Sequence, residues 1–113
     1  MNTKEEVINF RVPAGSSYDF FSSKLVSGCL VGVVIYHNNQ DGDFIQAALK
    51  DDSGIEICKM QHLENYRSRN ASYLEGCKPL PMDPLGKTYT LEIKALEPLR
   101  NDLVGQMIFI YSN

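Results

Sequence analysis

No stretch of this sequence stays apolar for more than eight residues, the longest being Cys29–Tyr36. A helix needs about 20 such residues to cross a bilayer, so no membrane span is expected. Residues 1–15 hold Lys4, Glu5 and Glu6 and lack the hydrophobic centre of a secretory signal. With a Met at position 1, the reading is of a protein made in, and at first kept in, the cytoplasm.

Cysteine is scarce as well. Cys29, Cys58 and Cys77 stand 29 and 19 positions apart with no CxxC. An odd count without a signal argues against a disulfide framework. Structural zinc draws on two short paired spacings, and neither is present. The three read as buried thiols that behave as small hydrophobes, and no metal or other cofactor is expected.

There is no surplus of positive charge either. Lys and Arg number 11 against 14 acidic residues, a net of −3, and the densest basic group is only Lys59, Arg67 and Arg69. A nucleic-acid binder carries a basic stripe, so nucleic acid is not an expected partner.

Catalytic signatures are missing too: no GxGxxG, Walker loop or HExxH occurs. Cys58 and His62, four positions apart on one strand face, would be separated by roughly 13 Å. No Ser stands in a nucleophile elbow. The chain therefore reads as a non-enzyme.

What remains is ordinary globular material, 113 residues with 43% hydrophobic and 22% charged. The length suits one domain over 1–113, with residues 1–6 as a flexible arm. From a mass of 12.7 kDa, the folded surface should be about 6,200 Å², with roughly two-thirds of the unfolded surface buried.

The pattern is of strands. Ile8, Phe10 and Val12 alternate with polar residues up to Pro13. Tyr18–Val26 allows a short strand or a bend. Cys29–His37 is apolar on both faces, as a strand covered on both sides would be. Ile45–Leu49, the turn Asp51–Gly54 and Ile55–Ile57 form the clearest hairpin. Three prolines argue against a helix or central strand between Lys78 and Leu85. Thr88–Leu96 alternates again, and Val104–Tyr111 is a second two-faced apolar strand. Seven or eight short strands and no helical period predict an all-β, single antiparallel β-sandwich, jelly-roll-like.

Two clusters invite a functional reading. Asn38, Asn39, Asp41 and Asp43 offer the oxygens that a hard cation wants, yet they lack EF-hand spacing and are also what turns are made of. The turn reading is preferred. The long segment from Glu64 to Asp83 carries Tyr66, Arg67, Arg69, Tyr73 and Lys78. These residues either form a polar–aromatic patch for a sugar, a carboxylate or a nucleic-acid strand, or belong to a solvated loop whose arginines pair with Glu64 and Glu75.

The last strand gives a sharper expectation. Met107, Phe109 and Tyr111 point one way and should fill the core. Ile108 and Ile110 point the other way, on the face shared with Gln106, and should meet a neighbouring loop or another subunit.

Lys78-Pro79-Leu80, the alternating Thr88–Leu96 and the closing Leu103–Tyr111 together resemble small β-sandwich or jelly-roll proteins of bacteriophage particles, such as penton, minor capsid or decoration subunits. The resemblance implies a structural protein of the virion with protein partners, either copies of itself or neighbouring capsid subunits. The alternative is a ligand-binding sandwich, a carbohydrate- or peptide-binding module using the 64–83 segment.

Overall fold

The strongest local signal, the hairpin at residues 45–62, shows how this chain builds its strands. In the computed structural model, which describes residues 3–39, 43–67 and 76–112, β4 (Ile45–Lys50) pairs antiparallel with β5 (Glu56–His62). The turn is fixed by Asp51, whose Oδ1 accepts the N–H groups of Ser53 and Ile55, each at 2.9 Å. Gly54 sits at φ 84°, a conformation that costs a glycine little.

The other strands are β1 (Thr3–Val12), β2 (Tyr18–Lys24), β3 (Cys29–His37), β6 (Lys78–Met82), β7 (Thr88–Ala95) and β8 (Leu103–Ser112). A short 3-10 turn, Leu63–Tyr66, follows β5. Each strand of the first half pairs with its mirror in the second: β1 with β8, β2 with β7, β3 with β6 and β4 with β5. The chain is thus one long antiparallel ribbon folded at its middle. Rolling that ribbon brings β8 against β3 and β7 against β4, which gives two four-stranded sheets ordered β1-β8-β3-β6 and β2-β7-β4-β5. This is an all-β sandwich with jelly-roll connectivity.

The core lies between the sheets. Ile8, Phe10 and Val12 of β1 share it with Leu91, Ile93 and Ala95 of β7, and Phe10 contacts Phe21 of β2 across the gap with ring centroids 5.9 Å apart. Met107, Phe109 and Tyr111 all point into this core and are buried, as the alternation of β8 predicts. The accessible surface is 6264 Å², in line with the expectation from mass.

Several expectations need correction. The arm foreseen over 1–6 is part of β1 from Thr3 onward, because the ten residues of β8 offer it a partner along their whole length. The proline-rich stretch agrees with its reading: it forms neither a helix nor a central strand but the edge strand β6, where a missing N–H is tolerated. Cys58 and Cys77 are buried, whereas Cys29 is exposed. The cause is a bulge in β3 between Leu30 and Gly32. Leu30, Val33 and Ile35 face the core, so the phase of alternation slips by one at the bulge. Cys29, in step with Val33 and Ile35 by simple counting, ends on the outer side.

Candidate interaction face

The two sheets differ on their outer faces. On the β2-β7-β4-β5 sheet that face is polar. Glu92 accepts from the Tyr18 hydroxyl and pairs with Lys50 at 2.8 Å, and Ser22 bonds Thr90 at 2.9 Å. The Lys50 ammonium, followed by the Tyr18 hydroxyl, holds the Glu92 carboxyl below its ordinary range. Tyr18 and Phe20 are exposed there, but their rings are tilted by 46° and make no flat platform.

The β1-β8-β3-β6 sheet is different. Its outer side carries a row of aliphatic residues in direct register across three strands: Val7 opposite Ile108, and Ile108 opposite Val34. The next row pairs Asn9, Gln106 and Tyr36, with Gln106 Nε2 donating to Asn9 Oδ1 at 2.8 Å. Val7, Tyr36 and Val104 are 45%, 48% and 46% exposed. A strand with one face in solvent alternates apolar with polar, and β8 does not, since Val104, Ile108 and Ile110 stand on its outer side.

Part of the face is covered from within the chain. Val34, Cys77 and Ile110 form a small buried cluster, with Val31 and Ile108 partly buried beside it. Gly32 makes this cover fit, since a Cβ there would stand 2.6 Å from the Lys78 carbonyl oxygen and closer still to the Cys77 sulfur. Ile110 is therefore fully buried under the segment that leads into β6, the loop contact that the alternation of β8 allowed. Ile108 stays partly open at the border of this cover.

Of the other candidate residues, the described ones, Tyr66 and Arg67, do not share a surface patch. Tyr66 is not a surface aromatic: it lies fully in the core, where its hydroxyl donates to the Ala47 carbonyl at 3.0 Å. Burial, and after it the neighbouring Cys58, pushes the Tyr66 hydroxyl pKa far above the ordinary phenol range. Lys78 Nζ stands 5.6 Å from the centre of its ring. Arg67 is exposed and donates to the Glu64 carbonyl at 2.8 Å, not to its carboxylate. Arg69 and Tyr73 lie outside the described residues, as does Asp41.

The two histidines are each held by bonds within the chain. His37 Nε2 is 2.6 Å from Glu64 Oε1 and its Nδ1 accepts from the Asn39 N–H, so both ring nitrogens are engaged. His62 Nδ1 accepts the Glu64 N–H at the start of the 3-10 turn. The acidic–amide group does turn chemistry. Asn38 Oδ1 accepts the Val104 N–H, Asn39 Nδ2 donates to the Asp43 carbonyl, and Asp43 pairs with Arg100 at 3.2 Å. Among the described residues, no three His, Cys, Asp or Glu side chains converge as metal ligands, and no helix is long and apolar enough to cross a membrane.

Sequence reasoning singled out Ile108 but missed Val7, Val34 and Tyr36. Val7 carried a signal: it is an aliphatic residue at a position where the Ile8–Phe10–Val12 alternation calls for a polar one.

No protein-family model matches the chain, and no curated protein matches it by sequence. Solved structures resemble it at a distance. A mitogen from Yersinia pseudotuberculosis is 12% identical with a TM-score of 0.49, over 97% of this chain and 86% of that one. A periplasmic inhibitor of g-type lysozyme from Salmonella Typhimurium is 20% identical with a TM-score of 0.37, over 97% and 90%. A GH115-family 4-O-methyl-α-glucuronidase specific for decorated arabinogalactans is 17% identical with a TM-score of 0.41, over 93% of this chain but 14% of that one. Likenesses this distant carry no argument about function.

Proposed function

We propose that this chain is a non-enzymatic assembly module that docks on another protein through the outer face of its β1-β8-β3-β6 sheet. One observation carries the reading: the exposed Val7 and the partly open Ile108 stand side by side in register, at the border of the covered Val34 and flanked by the exposed Tyr36 and Val104. An apolar sheet face is an aggregation liability unless something covers it, and it is kept where a partner does so. The engagement of both His37 nitrogens, and of His62 Nδ1, in structural bonds supports a role without acid–base chemistry. A subunit of a bacteriophage particle, made in the cytoplasm and assembled into the virion, is the setting that the sequence resemblance suggests.

The test is native mass spectrometry of the chain, alone and mixed with the products of its neighbouring genes. A complex with one of those proteins is expected, and it should be lost in Ile108→Ser while the fold is retained. If Ile108→Ser is folded and forms every complex of the natural chain, the face is not the docking surface. Binding of an oligosaccharide with no protein complex would favour the ligand-binding alternative.

A further inference from the structure

The jelly roll leaves four strand edges, and three of them are blunted against further pairing. β6 has five residues, two of which are Pro79 and Pro81, with no N–H to offer. β5 meets β4 through two register shifts and presents Glu56 and Lys59 to solvent. β2 turns Asp19 toward the inner side, and that carboxylate takes the Phe20 N–H at 2.8 Å. β1 has neither bulge, proline nor glycine. It runs ten residues in unbroken register with β8, from Thr3 to Val12.

We infer that the edge of β1 pairs antiparallel with β1 of a second copy, so that two sheets become one continuous sheet. The inference rests on the assembly reading above and names one of its partners as the chain itself. Charge selects the register. A two-fold axis perpendicular to the sheet places like faces together, so the pairing must centre on a residue rather than between two. Centred on Ile8, it sets Glu5 opposite Arg11 of the second copy, twice by symmetry, and Val7 opposite Asn9. All four positions lie on the outer face, and all are exposed. Centred on Val7, it leaves Glu5 opposite Asn9 and Arg11 opposite Thr3. Centred on Asn9, it puts Arg11 opposite Val7. Of these three registers only the Ile8-centred one opposes opposite charges, the arrangement that stabilises cross-strand pairs. Arg11 already holds Asp102, and a guanidinium has further N–H donors for a second carboxylate. In this register the Val7–Ile108–Val34 row of one copy runs on into the Asn9–Gln106–Tyr36 row of the other.

Sedimentation velocity of the full chain over a concentration series tests this. The natural chain should dimerise. Glu5→Arg, which brings like charges together twice, should weaken the dimer at least about tenfold. Glu5→Arg/Arg11→Glu/Asp102→Asn, which restores opposite charges without repelling Arg11→Glu at position 102, should recover it. Amide exchange over residues 5–11 should slow as concentration rises. A natural chain that stays monomeric, or a folded Glu5→Arg that dimerises as well as the natural chain, overturns the inference. So does a folded triple variant that fails to recover the dimer. Ile108→Ser separates the two readings, because it should spare the β1 dimer while abolishing the complex with a different protein. Loss of the dimer with that complex intact condemns the edge pairing alone. A dimer that persists while Ile108→Ser changes no complex condemns the docking face alone.

Discussion

Val7 of β1 and Ile108 of β8 stand directly opposite one another on the outside of the sandwich, while their chain neighbours Ile8 and Met107 face each other inside it. The same strand pair therefore presents aliphatic side chains to both sides. The inner ones pack in the core of a monomer, and the outer ones have only a partial cover.

That difference gives the first expectation. Phe109 is completely buried, and Phe109→Ala should cost about 3–5 kcal/mol of folding stability. Ile108→Ser removes a partly buried side chain and should cost clearly less, about 1 kcal/mol. Urea unfolding of both variants checks the order. An Ile108→Ser loss equal to that of Phe109→Ala would mean that the outer side of β8 is as fully packed as the inner.

Much of the frame was legible because period-2 alternation reports directly on which face is buried. The alternation of Tyr89, Leu91 and Ile93 and of Met107, Phe109 and Tyr111 placed β7 and the inner face of β8, and Asp51–Gly54 placed the hairpin turn. The errors arise where something non-local decides. Cys29 changed sides because of a bulge next to Gly32, a glycine that can mark an irregularity in β3 but not which way the alternation slips. Tyr66 sits among Asn65, Arg67 and Ser68, so its surroundings read as a loop, but the 3-10 turn drives its ring inward onto Ala47. The apolar outer face was half legible. Ile108 betrayed it within one strand, and Val7 broke the alternation of its own, but that Val7, Ile108 and Val34 form one row depends on a three-strand register that the sequence does not display.

Tyr66 also sets an expectation at high pH. Burial raises the pKa of its hydroxyl in the folded state, and the same holds for Tyr111. A raised pKa contributes stability that is complete below the unfolded phenol value of about 10 and is lost as pH climbs above it. Unfolding midpoints in urea should therefore fall steeply above about pH 10. Tyr66→Phe should lower stability at neutral pH by about 1–2 kcal/mol, since the Ala47 carbonyl loses its donor, and should make the alkaline fall shallower. An unchanged alkaline slope would refute the assignment to Tyr66.

The acid side is set by exposed carboxylates acting as clasps. Asp83 accepts the N–H groups of Leu85 and Gly28 and the hydroxyl of Ser27, and those bonds, led by Leu85, lower its pKa. Asp102 is lowered likewise by the Ala14 N–H and then by Arg11. A lowered carboxyl pKa gives stability that is present above about pH 4 and lost as the group takes up its proton below it. Asp83→Ala should reduce Tm at pH 7, and the gap to the natural chain should narrow toward pH 2. A gap of constant size would show that the loss comes from packing and not from charge.

The thiols should divide by position. Cys29 is exposed at the start of β3, whereas Cys58 and Cys77 are buried, and burial raises the Cys58 pKa further. A thiol-reactive dye should modify one residue quickly in the folded protein and the other two only on unfolding, because reaction needs both access and thiolate. Peptide mapping should find the fast label at Cys29. Fast labelling at Cys58 or Cys77 would show that the sheet edge beside β6 opens readily.

The turn between β6 and β7 contains a residue that its backbone does not suit. Leu85 has φ 57° and Gly86 has φ 68°, and the Lys87 N–H closes the turn onto the Pro84 carbonyl at 3.1 Å. Two consecutive left-handed residues under such a bond make a type I′ turn, which favours Asn or Gly at its first central position. A leucine held there costs about 1–2 kcal/mol through the contact between its Cβ and the backbone. Its side chain is 64% exposed, so little packing offsets that cost. Glycine would remove the strain at an entropic cost of about 0.5–1 kcal/mol. Leu85→Gly should therefore stabilise the fold by about 0.5–1 kcal/mol, which for a domain of this size raises Tm by roughly 2–8 °C. Calorimetry decides it. A lower Tm for Leu85→Gly would mean that the leucine makes contacts worth more than its strain, and the exposed apolar side chain at this turn would then need a structural role of its own.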